Sequence, residues 1–182
     1  MSKAIGMAEL ITVSEGMAAA DRMVKTAEVD IIEAQTVCPG KYIVIISGEL
    51  SAVNASIEAV KTFHLEKLID SFVLGNPHES IFPAIYSTAQ IDEVDALGVI
   101  ETFSVASAIV AADVAAKTAF VDLIELRLAR GMCGKSYLML TGSVASVSAA
   151  IERASAEASV YGMFLDSTVI PNPDKKLWDM IL

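Results

Sequence analysis

The chain has 182 residues, of which 54% are apolar, and its mean hydropathy is +0.55. Charged residues such as Asp113 and Lys117 interrupt every apolar run before the roughly 18 residues that a membrane span needs. The formal net charge of -10 and the lack of a Lys/Arg cluster argue against a nucleic-acid-binding surface.

These features predict a globular protein without a membrane or nucleic-acid partner. The segment "MSKAIGMAELI" has no apolar block followed by a small-residue cleavage site, so a secretory signal is not expected and the protein is predicted to be cytosolic. The surplus of apolar residues predicts that some of them are buried against other subunits.

The first half of the chain is predicted to hold the elements β-α-β-β-α-β in that order. The strands are predicted from "AIGMAELI", "VDIIEAQTV", "KYIVIISGE" and "SFVLGN", which are apolar and rich in β-branched residues. The helices are predicted from "SEGMAAADRMVKTA", with Ser14 as the expected N-cap, and from "LSAVNASIEAVKTF". A short helix from about Glu79 to Tyr86 follows. This order is typical of the ferredoxin-like split βαβ arrangement, in which two helices cover one face of a four-stranded sheet.

The second half of the chain repeats the first. The segment "AAADRMVKTAEVDIIE" aligns with "VAADVAAKTAFVDLIE", and "VLGNPHESIFPAI" aligns with "VIPNPDKKLWDMI". About two extra residues lie in the second copy between Glu125 and Lys135. The sequence therefore predicts an α/β (α+β) protein of two tandem domains, at residues 1–90 and 91–182, joined by "STAQIDEVD".

Each copy has one cysteine in the loop between its second and third strands. Cys38 lies in "TVCPGKY" and Cys133 in "RGMCGK". A structural disulfide is not expected, because the two are far apart in a reducing compartment. Such a loop is a hairpin tip and therefore exposed, which leaves a thiol or metal role open. The two positions are not equivalent, since Cys38 lies three residues before Lys41 and Cys133 two before Lys135.

Several of these features resemble the shell-protein domain of bacterial microcompartments, in tandem and in the family's usual element order. They are the repeated "AIG..E" and "D..VK.A.V", the Gly-Lys after the second strand, and "NPH". The resemblance implies a microcompartment shell protein, with no enzymatic activity. It also implies a homotrimer with six domains around an axis, a pseudohexamer, whose central pore is lined by the Gly-Lys hairpins and which tiles with other shell proteins.

The resemblance also implies which residues lie at the edge of the trimer. Lys25 and Lys117 match the family's edge lysine, although the alternative is that both are merely solvated helix residues. Asn76 and Asn172 stand where the family commonly has an arginine, so the strength of the edge contact is expected to differ.

More narrowly, "VCPGK" resembles the pore motif of tandem shell proteins of propanediol-utilisation compartments that carry an iron-sulfur cluster. The chain has no C-x-x-C run, but a three-fold axis would present Cys38 three times. Three thiolates could hold three irons of one 4Fe-4S cluster per trimer, for electron transfer or cluster transfer across the shell. Pro39 would stiffen the tip, and Gly40 would bring backbone amides close to the sulfur. An encapsulated redox enzyme is a further expected partner.

Two questions stay open at this point. In the second copy Met132, Cys133 and Gly134 are expected at the same pore, where Cys133 is either a structural thiol or a further ligand. The main alternative function is an open metabolite pore in which Cys38 is an unliganded rim residue. A soluble redox enzyme is disfavoured, because the sequence has no G-x-G-x-x-G after its first strand.

Overall fold

The computed structural model describes residues 4–160 and 162–182. Residues 1–3 and 161 fall within the two predicted domains and lie outside the described residues. No helix in the described part of the chain is both long and apolar enough to cross a membrane.

The first copy of the repeat forms a four-stranded antiparallel sheet with strand order β2-β3-β1-β4. Its elements are β1 (Ala4–Leu10), α1 (Val13–Thr26), β2 (Val29–Val37), β3 (Lys41–Gly48), α2 (Leu50–Phe63), a 3₁₀ turn (Leu65–Lys67), β4 (Leu68–Leu74) and α3 (Ile81–Ile85). Thr12, not Ser14, caps α1, because the helix begins at Val13 and the Thr12 side chain accepts the Glu15 N–H. The N-cap prediction is therefore wrong by two residues.

The second copy forms a sheet with the equivalent order β6-β7-β5-β8. Its elements are β5 (Ala96–Thr102), α4 (Val105–Thr118), β6 (Asp122–Leu128), β7 (Ser136–Gly142), α5 (Val144–Val160), β8 (Phe164–Ile170) and α6 (Lys175–Ile181). The predicted ferredoxin-like order of helices and strands is confirmed in both copies.

Small residues set the distance between sheet and helix in each copy. A Cβ atom at Gly6 would lie 2.6 Å from Val53 of α2, and one at Gly98 would lie 2.8 Å from Val147 of α5. Both distances are shorter than contacts between carbon atoms allow, so each helix packs directly on the backbone of the strand at its glycine. The repeated glycine therefore reflects packing in the core of each copy.

The chain divides into two compact units that do not follow the two halves of the sequence. Unit one runs to Pro77 and includes Ala129–Gly134; unit two comprises His78–Leu128 and Lys135–Leu182. As a result, α3 of the first copy belongs to unit two, and most of the cysteine loop of the second copy belongs to unit one. The predicted domains, residues 1–90 and 91–182, follow the sequence repeat, and their bounds stay a prediction.

Candidate functional site

Cys38, Pro39 and Gly40 form the three-residue tip between β2 and β3. The Cys38–Pro39 peptide bond is cis, and the Gly40 N–H closes the turn by donating to the Val37 carbonyl oxygen at 2.9 Å. Cys38 is a free thiol and is partly exposed. A Cβ atom at Gly40 would have no neighbour within 4 Å, so the tip faces open space at this residue.

The tip is fixed at the two strand ends that carry it. On the β2 side, Val37 is 4% exposed. On the β3 side, Lys41 forms an ion pair with Glu9 of β1, and the two side chains are 25% and 7% exposed. The cysteine therefore lies between a packed apolar residue and a largely buried ion pair.

The corresponding loop of the second copy is longer and is held differently. It spans residues 129–135 between β6 and β7, against residues 38–40 in the first copy. Within unit one, Arg130 donates to Gln35 Oε1 at 2.7 and 3.0 Å and to Glu33 Oε1 at 3.0 Å. Three hydrogen bonds from one guanidinium thus fix this loop onto β2.

The loop of the second copy also lies against the Cys38 tip. A Cβ atom at Gly134 would be 3.7 Å from the Cys38 carbonyl oxygen and 3.8 Å from Lys41 Nζ. Gly134 has φ +90° and Cys133 has φ +54°, so both adopt left-handed backbone conformations. Cys133 is exposed and Met132 is partly buried. Both cysteines therefore belong to loops of the same compact unit.

One chain does not supply a complete metal site in the part that the structure describes. Within residues 4–160 and 162–182, no group of three or more His, Cys, Asp or Glu side chains is placed to hold an ion.

The two lysines predicted at the shell edge have equivalent helix partners but different surroundings. Lys25 pairs with Asp21 and Lys117 pairs with Asp113, each at 2.7 Å and four residues apart. The Lys25 and Asp21 side chains are 71% and 60% exposed, whereas Asp113 is 8% exposed and also accepts the backbone N–H of His78 at 2.8 Å. The second lysine is therefore held more firmly than the first.

The two asparagines at the predicted edge lie at equivalent turns. Asn76 follows β4 and Asn172 follows β8, and both are exposed. Asn76 has φ +53°, a conformation that asparagine tolerates better than most residues. Its conformation therefore gives a local reason for asparagine at this turn.

A polar cluster that the sequence did not reveal lies on β6 and β7. Tyr137 donates to Glu125 Oε2 at 2.7 Å, and Arg127 donates to Glu125 Oε1 at 2.6 Å. Burial of the hydroxyl and its hydrogen bond to Glu125 raise the pKa of Tyr137 to about 12. The hydrogen bond to Glu125 also raises the pKa of Arg127.

Helix α3 buries an apolar contact in unit two. It packs on β6, and Ile81 and Ala84 of the helix are both 0% exposed. Leu123 of β6 is 2% exposed. Helix α3 therefore packs against β6 within unit two.

The repeat equivalents of the same residues are exposed. In the alignment of the two copies Ile81 corresponds to Leu177 and Ala84 to Met180, which are 39% and 84% exposed on α6. Leu123 corresponds to Ile31 of β2, which is 43% exposed. The contact between α3 and β6 is buried within the chain. The equivalent surfaces on α6 and on β2 are both exposed. The repeat shows which residues are equivalent, but the difference in their exposure is known only from the structure.

Comparison with known proteins identifies the family. The family model described as the BMC domain matches residues 4–77 and 96–173. The bacterial microcompartment shell protein PduT of Citrobacter freundii is 39% identical over 178 residues, which cover 98% of this chain and 97% of that protein. This chain therefore belongs to the BMC-domain family and is a bacterial microcompartment shell protein with two tandem BMC domains.

Solved structures agree with this assignment. The crystal structure of a microcompartments protein from Desulfitobacterium hafniense DCB is 46% identical and superposes with a TM-score of 0.94, covering 98% of this chain and 99% of that one. The fused permuted hexameric shell protein MSM0275 from the RMM microcompartment is 21% identical, with a TM-score of 0.65 over 87% of this chain and 84% of that one, which shows likeness of fold alone. The predicted fold class and location in a microcompartment shell are confirmed.

Proposed function

We propose that this protein forms a homotrimeric, pseudohexameric unit of the shell and that its central pore binds one 4Fe-4S cluster through three copies of Cys38. The observation that carries the proposal is the position of Cys38, a free and partly exposed thiol at the three-residue tip between β2 and β3. The likeness to the shell protein PduT over nearly the whole chain supports the structural part of the proposal.

The exposed repeat equivalents support a ring of copies. Leu177 and Met180 of one chain would cover Ile31 of the next chain in the ring. Within a single chain, α3, which carries Ile81 and Ala84, packs on β6 in the same way. Such a contact joins two different surfaces, so each chain can bind one neighbour on either side. The chains form a closed ring when the rotations between neighbours add up to a full turn. Two domains per chain and six positions around the axis give three chains.

The residues at the tip fit the proposed cluster. Thiolates are the ligands that iron-sulfur clusters require, and three equivalent Cys38 side chains leave one iron for water or another small ligand. The Gly40 amide donates to the Val37 carbonyl oxygen at 2.9 Å, which keeps the tip tightly turned. When bound, the cluster would supply one-electron transfer across the shell, and an encapsulated redox enzyme would be the partner for those electrons.

Cys133 is assigned no ligand role in this proposal. It lies in a loop that is anchored through Arg130, and its position relative to the following lysine differs from that of Cys38. Met132 and Gly134 contribute the surface of this loop at the pore. Lys25, Lys117, Asn76 and Asn172 contribute contacts to neighbouring shell proteins at the edge.

The matched variants Cys38→Ser and Cys133→Ser test the cluster. After anaerobic reconstitution, iron and sulfide per trimer and the visible spectrum should be measured for each variant and for the unaltered protein, and light scattering should give the mass. Cys38→Ser should lose iron and colour and stay trimeric, because a tip residue contributes little to the core. Cys133→Ser should keep both.

The opposite outcomes would each reject a defined part of the proposal. Loss of iron in Cys133→Ser with full iron in Cys38→Ser would reverse the ligand assignment. A trimer that never takes up iron would be better explained as a metabolite pore with an unliganded Cys38 rim. A monomer at micromolar concentration would remove the basis for counting three thiolates.

A further inference from the structure

The ion pair between Glu9 and Lys41 lies directly behind the Cys38 tip. Lys41 is the first residue of β3, and its side chain reaches Glu9 near the end of β1. Glu9 is 5% exposed although it carries a carboxylate, and Asp70 of β4 lies directly opposite it in the β1–β4 pairing. Directly opposite residues of an antiparallel pair share one face of the sheet, so Lys41 neutralises a site that already holds two acidic residues.

The second copy does not repeat this arrangement. Its equivalent residues are Glu101, with Asp166 opposite in the β5–β8 pairing, and Lys135. Among the described residues the ion pairs include none between Glu101 and Lys135, and Lys135 is exposed. The loop of the second copy is anchored by Arg130 instead.

Apart from this ion pair, the tip is held by its own turn and by the loop of the second copy, since a Cβ atom at Gly134 would lie 3.7 Å from the Cys38 carbonyl oxygen. Its own hydrogen bond runs from the Gly40 N–H to the Val37 carbonyl oxygen, and open space surrounds the Cβ direction of Gly40. Lys41 Nζ also lies 3.8 Å from the position of a Gly134 Cβ atom, so the ammonium group is packed between β1 and the neighbouring loop.

We infer that Glu9 and Lys41 are positioning residues for Cys38, and that Lys41 is not a free cation of the pore. The ion pair ties Lys41, the first residue after the tip, to the central strand β1, and so fixes the direction in which the thiol projects from each chain. This inference rests on the proposed function, because it concerns the presentation of Cys38 to a shared cluster.

Three variants separate this role from general stability. Lys41→Met removes the cation. Glu9→Gln combined with Lys41→Met removes the pair without leaving the buried Glu9 carboxylate unpaired. Lys135→Met is the matched control in the second copy. Hydrogen–deuterium exchange of residues 36–42 should be measured on protein without a cluster, and iron and sulfide per trimer after anaerobic reconstitution at limiting iron.

Both variants that lack the pair should exchange the tip amides about tenfold faster, since local opening sets the exchange rate, and should retain less than half of the iron. Lys135→Met should change neither quantity. If Lys41→Met does not fold, the double variant still provides the test. Unaltered exchange and full iron content in the double variant would overturn the inference, as would an equal effect of Lys135→Met.

Failure of the cluster proposal gives a different result. If the unaltered protein takes up no iron, the exchange data alone decide whether the ion pair fixes the tip. Faster exchange would then keep Glu9 and Lys41 as positioning residues of an unliganded pore rim, whereas unchanged exchange would reject both proposals together.

Discussion

Replacing Met180 by aspartate should weaken the association of copies without unfolding the chain. Met180 is 84% exposed on α6, so its side chain contributes little to the core of its own chain. In the proposed ring it covers Ile31 of the next copy. Full burial of a methionine side chain stabilises by about 1.5–3 kcal/mol, so loss of this contact should cost about 2 kcal/mol at each junction.

The corresponding change in association is large enough to measure. About 2 kcal/mol is a factor of about 30 in the association constant of each junction. A carboxylate facing an apolar strand adds a desolvation cost in the same direction. Met180→Asp should therefore dissociate at protein concentrations at which the unaltered trimer stays intact.

Sedimentation velocity over a concentration series is the appropriate assay, with thermal unfolding to confirm that the variant folds. Leu65→Asp is the matched control, because Leu65 is 68% exposed but lies on the 3₁₀ turn before β4, at the opposite edge of the sheet from β2. It should associate like the unaltered protein. A Met180→Asp trimer with unchanged concentration dependence would refute the assignment of the junction, even if the protein is trimeric.

Three further predictions concern the edge, the core and one titrating group. Lys25→Ala combined with Lys117→Ala should leave the trimer intact by light scattering but reduce its co-assembly into shells. Each exposed contact contributes about 1 kcal/mol or less, so many must act together. Unchanged co-assembly would favour the alternative that both lysines are merely solvated helix residues. Gly6→Ala should lower the midpoint of thermal unfolding by several degrees, since the added Cβ would lie 2.6 Å from Val53 and overpacking costs about 1–3 kcal/mol; an unchanged midpoint would contradict the packing argument. The pKa of Tyr137 is raised to about 12, so the contribution of its hydroxyl to stability is complete below pH 10 and is lost as the pH rises through about 12. Between these two pH values the unfolding free energy should fall less in Tyr137→Phe than in the unaltered protein. An equal fall would contradict this role of the hydroxyl.

The order of helices and strands could be predicted because local patterns determine it. Apolar runs rich in β-branched residues predicted the strands, alanine-rich segments predicted the helices, and the internal repeat supplied each assignment twice. The position of Cys38 at a hairpin tip followed from the short segment between two strands. The ends of several elements differed, such as the cap of α1 at Thr12 and the start of β4 at Leu68 instead of Ser71.

The contacts that surround the tip could not be predicted in the same way. The pairing of Glu9 with Lys41 depends on the register of two strands that are not adjacent in sequence, and no local pattern encodes that register. The hydrogen bonds from Arg130 to β2 depend on where a seven-residue loop folds, which strand patterns do not specify. The repeat predicts equivalent loops, whereas the structure shows two loops with different anchors.

This difference between the loops explains why a tandem chain suits the proposed cluster. Six identical chains around an axis would present six identical cysteines at the pore, twice the three that a 4Fe-4S cluster with one open iron requires. When two copies are joined in one chain, their loops can differ in sequence and length. In the proposed trimer the tip beside Glu9 and Lys41 carries the ligand, and the loop anchored by Arg130 fills the space between neighbouring ligands. In the proposed trimer the number of chains would set the count of three thiolates. The ion pair between Glu9 and Lys41, which has no counterpart among the described residues of the second copy, would set the direction of each thiolate.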